Sequence, residues 1–162
     1  MYLEVKGGTK TKRKLAESIA KFCATKLMST RLANTLEITI ELVPNLGKKV
    51  GVYGDCIWED KPNRPKEFTV RVDSKMTPRH VVETIAHEMV HVKQFARNEL
   101  YEPSAKQGSR WKGEWLSPRQ KCVKDYWDQP WEIEAHGREC GLFVRWAEKH
   151  GYSKKKWAQY DL

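Results

Sequence analysis

A chain of 162 residues that is 40% apolar and carries seven tryptophans is long enough to bury one core, so a single domain over residues 1–162 is expected. Its net charge of +9, and the lack of any apolar run near the length of a bilayer, exclude a membrane-spanning protein. Residues 1–7 lack the apolar region of a secretion signal, which points to a cytoplasmic protein.

Residues 10–33 read as an amphipathic helix, with Leu15, Ile19, Phe22, Cys23 and Leu27 at helical spacing and lysines elsewhere. Residues 36–43 alternate apolar and polar side chains over a full strand length, and Pro44-Asn45-Leu46-Gly47 closes that strand. Two further strands are expected near 52–59 and 67–72, separated by the turn-forming run Asp60-Lys61-Pro62-Asn63-Arg64-Pro65. Thr77 is a good N-cap and Pro78 fits the first helical position, so a second long helix runs from there to about Asn98. His80, in its first turn, reads as a capping or surface residue. Residues 100–128 form a polar, basic connector with Lys106, Arg110, Trp111, Lys112, Trp115, Arg119, Lys121, Lys124 and Trp127, long enough to roof a cleft or bind substrate. A last helix starts at Pro130, with acid in its first turn, and continues through Phe143, Val144 and Ala147 into a basic tail, 151–162. These elements make an α+β chain: an N-terminal helix, a small three-stranded, mostly antiparallel sheet, and two later helices. The four cysteines show no C-x-x-C pairing and read as small buried side chains in a reducing compartment.

The chemistry concentrates in His87-Glu88-Met89-Val90-His91. Residues four apart share a helical face, so His87 and His91 can reach one metal ion, while Glu88 flanks it where a water would sit. The surrounding run from Val81 to Val92 is apolar on several sides, and a buried helix seldom carries idle histidines. A catalytic zinc takes three protein ligands, and no histidine occurs between His91 and His136. The best candidate region for a further ligand is Gln129-Pro130-Trp131-Glu132-Ile133-Glu134-Ala135-His136, where Glu132 and His136 share a face.

With H-E-M-V-H and the later P-W-E-I-E-A-H, the chain resembles the gluzincin-type zinc metallopeptidases, and most of all the compact SprT-like proteins and minigluzincins of bacteriophages and bacteria. The likeness covers residues from about 36 to 146 and is strong at the two motifs. It implies a minimal zincin-like core holding one Zn²⁺ through His87, His91 and Glu132, with Glu134 as the other candidate for the third ligand. It departs from SprT itself in having no third histidine soon after the motif helix. The implied activity is endopeptidase hydrolysis of a protein or peptide by a metal-activated water, with Glu88 as general base and Tyr101, Tyr126 or His136 as oxyanion donor. An edge strand beside the motif helix can bind an extended peptide by strand addition, and residues 68–72 are the candidate.

Charge distribution supplies the alternative. Lysines and arginines cluster in residues 1–31, in residues 100–124 beside tryptophans, and at Lys154-Lys155-Lys156. Clustered cations next to aromatic rings suit a nucleic-acid surface, because lysines release phosphate counterions and indoles stack on bases. In that reading the zinc site is structural or degenerate.

Overall fold

The computed structural model describes residues 1–104, 108–116 and 123–159. Leu3 and Val5, alternating with Glu4 and Lys6, turn one side of β1 (Tyr2–Gly7) toward the core. Thr9 caps α1 (Lys10–Leu27), its hydroxyl accepting from the Lys12 amide. The helix expected over residues 10–33 is in fact two. Ser29 accepts from the Leu32 amide and so starts a separate short helix, α2 (Thr30–Ala33). Then come β2 (Glu37–Val43), α3 (Leu46–Val50), β3 (Gly54–Trp58) and β4 (Glu67–Asp73).

The sheet has four strands, not three, in the order β1-β2-β4-β3, and it is mixed rather than mostly antiparallel. The α1 crossover leaves β1 and β2 parallel, β2 and β4 are parallel too, and only the β3–β4 pair is antiparallel. Ile38, Ile40 and Leu42 alternate with partly exposed residues along β2, as Phe68, Val70 and Val72 do along β4. One face of the sheet therefore packs on helices and the other is polar. Residues 68–72 are not an edge, because β4 is bonded on both sides; the edge beside the motif helix is β3.

The motif helix α4 (Pro78–Ala96) begins as expected, with Thr77 accepting from the His80 amide and His80 itself exposed. It is buried along most of its length and packs against α1, β3, β4 and α5 (Pro130–Lys149). The connector between α4 and α5 is not a plain loop. It folds into an antiparallel sheet of β5 (Leu100–Ser104), β6 (Gly108–Trp111) and β7 (Glu114–Leu116), followed by a 3-10 segment, Val123–Asp128. Lys112 and Gly113 both have positive φ and form the two-residue turn joining β6 to β7. Of the connector's basic residues, Lys106, Arg119 and Lys121 lie outside the described residues, as does Cys122. Among the described cysteines Cys23 alone is buried as expected; Cys56 is half-buried and Cys140 exposed. No helix among the described residues is long and apolar enough to cross a membrane.

Candidate metal centre

Helical spacing on α4 and the approach of α5 bring three side chains to one point. His87 Nε2 and His91 Nε2 are 3.1 Å apart. The Glu132 carboxylate faces both, Oε2 lying 3.4 Å from His87 Nε2 and Oε1 3.5 Å from His91 Nε2. All three residues are buried, and they form a group able to hold a metal ion.

The outward nitrogens of both histidines are already engaged. His87 Nδ1 donates to Glu139 Oε2 at 2.7 Å, and His91 Nδ1 donates to Gln94 Oε1 at 2.8 Å. With a proton on each Nδ1, neutral rings turn two Nε2 lone pairs and a carboxylate toward the same spot. Such a convergence is stable only around a cation, either a proton or a metal. Without a metal it takes the proton. Burial works against the charge on His87, but hydrogen bonds to Glu132 and Glu139 override it and hold the ring up at about 10. His91 is raised too, against its burial, by its hydrogen bond to Glu132 and by the charge of Glu88. Burial alone would raise Glu132, yet its bonds to His87 and His91 keep it well below the usual carboxylate range. The donor set thus fits a divalent metal.

Glu88 lines the same cleft as His87 and His91 and is 5% exposed. Burial pushes its carboxyl up to about 7, against the pull of His91 and His87. The cleft, of about 210 Å³, is walled by α4, by β3 through Gly54 and Cys56, by β5 through Leu100 and Glu102, and by Trp131 and Tyr126. Its walls therefore include parts of the connector. A second hollow of about 490 Å³ adjoins it, sharing Gly54, His87, Glu88 and Tyr126 and lined also by Tyr53, Glu83, Trp127 and His136.

Glu134, the other candidate ligand, is turned elsewhere. It accepts from Lys93 Nζ at 2.7 Å, Gln94 Nε2 at 3.0 Å and Arg138 Nε at 3.1 Å. Burial would raise it, but these donors, Lys93 first, bring it down to about 2. The three candidate oxyanion donors also separate. The Tyr126 hydroxyl donates to Glu132 Oε2 at 2.7 Å, inside the cleft. Tyr101 stacks with Arg110 and Trp115 on the small sheet, and His136 stacks between His87 and Trp127.

The edge strand runs past this site. Tyr53 O accepts from the Asp73 amide and the Glu59 amide donates to Glu67 O, so the odd-numbered residues of β3 pair with β4. The backbone groups of Gly54, Cys56 and Trp58 face away from the sheet. Gly54 also lies against the motif helix: a Cβ there would collide with Thr84 Cγ2 and sit 2.9 Å from Glu88 Oε1.

Sequence reasoning missed Glu139, Gln94 and Gly54. A signal existed for the first two, since a histidine that binds metal through Nε2 needs an Nδ1 acceptor. Gln94 is three residues after His91, and Glu139 is seven after Glu132 on the same helical face. Comparison with protein-family models, curated proteins and solved structures found no match to this chain.

Proposed function

We propose that this chain is a zinc-dependent endopeptidase with a minimal zincin-like core. The observation that carries the reading is the convergence of His87 Nε2, His91 Nε2 and the Glu132 carboxylate, with both Nδ1 atoms already committed to Glu139 and Gln94. Two imidazoles and one carboxylate are the donor set of a catalytic zinc that keeps an open position, and they would be its ligands here. Bound zinc supplies a Lewis acid that polarises a carbonyl and acidifies water.

The chain's own residues supply the rest. The outward N–H and C=O groups of Gly54, Cys56 and Trp58 hold an extended peptide as an added strand along the cleft. The Glu88 carboxylate takes the proton of the attacking water and delivers it to the leaving amine nitrogen. Tyr126, beside Glu132, is the hydroxyl best situated to donate to the carbonyl oxygen as charge develops there. Leu100, Phe95 and Trp131 give the cleft an apolar wall that limits water.

The test pairs zinc content with cleavage of a mixed peptide library, read as new termini by mass spectrometry. Zinc-loaded wild type should cut, and Glu88→Gln should retain one zinc per chain while cutting at least a hundredfold more slowly. Cleavage by Glu88→Gln at the wild-type rate, or none by the zinc-loaded wild type, overturns the reading.

One feature favours a second activity, nucleic-acid binding. Tyr101, Arg110 and Trp115 are cross-strand neighbours on the outer face of the small sheet. The Arg110 guanidinium lies 4.7 Å from the Tyr101 ring and 5.9 Å from that of Trp115, which is 55% exposed. Flat cationic and aromatic groups of this kind stack on bases. This reading expects salt-sensitive binding of a single-stranded oligonucleotide that survives Glu88→Gln and falls at least tenfold in Trp115→Ala. Binding unchanged in Trp115→Ala rejects it.

A further inference from the structure

His91 and His87 are held by different chemistry. His87 leans on a carboxylate from the neighbouring helix, Glu139, whereas His91 leans on an amide from its own helix, Gln94. An amide can present either oxygen or nitrogen to a ring, so by itself it leaves the ring's proton free to sit on either nitrogen. Here the choice is removed. Gln94 is fully buried, and its Nε2 donates to two groups at once, Trp131 O at 3.0 Å and Glu134 Oε2 at 3.0 Å.

Neither of those partners can donate in return. The first is a backbone carbonyl. The second is a carboxylate anchored by the buried Lys93, whose Nζ lies 2.7 Å from Glu134 Oε1 and 2.6 Å from Glu99 Oε2. Turning the amide over would set its oxygen against both acceptors and its NH₂ against His91, breaking two hydrogen bonds at a side chain with no exposed surface. Gln94 Oε1 therefore faces His91, and His91 must donate from Nδ1.

We propose that Gln94 is a positioning residue for the metal centre. Buttressed by Glu134 and Lys93, its amide fixes His91 with the proton on Nδ1 and turns Nε2 toward the metal. Glu134 then acts through two hydrogen bonds on His91, while Glu132, two residues earlier on α5, would ligate the ion itself. The chain Lys93–Glu134–Gln94–His91 also joins α4 to α5 through polar contacts alone, on the side of the cluster opposite Glu139. Partners of this kind orient metal ligands and typically set affinity by 10–100-fold.

The inference rests on the metal reading above, and its test separates the two. Zinc dissociation constants are measured by chelator competition for wild type, Gln94→Leu and the double variant Gln94→Glu/Glu134→Gln. The position of the His91 ring proton is read from ¹⁵N NMR of the zinc-loaded chains. Gln94→Leu, which cannot accept from Nδ1, should bind zinc about 10–100-fold more weakly. The exchanged double variant Gln94→Glu/Glu134→Gln, whose position-94 carboxylate accepts both from Nδ1 and from the amide now at position 134, should recover most of that loss, a rescue that lost packing alone would not produce. Wild-type affinity in Gln94→Leu overturns the proposal, as does equal impairment in both variants. Should Gln94→Leu fail to fold, the wild-type spectrum decides: a His91 ring that carries its proton on Nε2 in the zinc-loaded protein also overturns it. A wild type that takes up no zinc overturns the metal reading itself, and this inference with it.

Discussion

Gly54 is the residue at which edge strand, motif helix and proposed base meet. It has no side chain, so β3 can lie against α4 where Thr84 and Glu88 project, and any Cβ would strike Thr84 Cγ2 first. Gly54→Ala should therefore cost about 1–3 kcal/mol, the usual range for overpacking a filled site. Thr84→Ser removes the colliding methyl and should restore most of the stability of Gly54→Ala in the double variant. Denaturant melts of the four chains give the coupling directly. Additive losses would mean that the strand, not the threonine, gives way. Nothing in the sequence around Gly54 separates it from the other glycines of this chain, because its role comes from a contact with a helix thirty residues later. His87, Glu88 and His91 were legible for the opposite reason: their relation is carried by a single turn of one helix.

The sheet depends on a different kind of tie, between the end of β4 and the turn after β2. Asp73 is 4% exposed, and its carboxylate accepts from the backbone amides of Asn45 at 3.1 Å, Gly47 at 3.0 Å and Lys75 at 2.9 Å. These bonds hold the left-handed Asn45, at φ 58°, and the start of α3. Burial would raise the Asp73 carboxyl, but the backbone donors outweigh it and bring the group below its ordinary value of 3.8. A depressed folded value means that its stabilisation is complete above that ordinary value and is lost as pH falls through the folded one. Asp73→Ala should cost about 2 kcal/mol near neutral pH by leaving three donors without an acceptor. Part of the acid-induced loss of stability below about pH 4 should disappear with it. Urea melts at pH 3 and pH 7 measure both, and equal losses at the two values would contradict the account. At this scale the strands near 36–43 and 67–72 were legible from their period of two, whereas pairing was not. Period identifies which face of Phe68, Val70 and Val72 is buried, but a strand bonded on both sides alternates like an edge strand when only one face is covered. The hairpin in the connector was missed because its turn is Lys112-Gly113, and only its second residue carries the usual signal for positive φ.

Across the whole molecule, the candidate metal centre is also a joint between α4 and α5. His87 and His91 come from one helix and Glu132 from the other, with Glu139 and the Gln94–Glu134 contacts on either flank. A metal bound there binds the folded chain and not the unfolded one, so it must raise the stability of the entire fold. At a free zinc concentration a hundredfold above the dissociation constant the gain is about 2.7 kcal/mol. For a chain of this size that corresponds to a rise in melting temperature of about 5–10 °C. The order of the effects distinguishes the ligands from their supports. Glu132→Ala leaves two imidazoles and should abolish nearly all of the zinc-dependent rise. Glu134→Ala keeps all three donors and should reduce the rise only in proportion to its weaker zinc binding. Because Glu134 also pairs with the buried Lys93, that variant should melt lower than wild type even without zinc. Scanning calorimetry with zinc and with a chelator separates the two contributions. A zinc-dependent rise that survives Glu132→Ala but vanishes in Glu134→Ala would transfer the ligand role to Glu134, and the hydrogen bonds that now engage it with Lys93, Gln94 and Arg138 would have to break for it to turn inward.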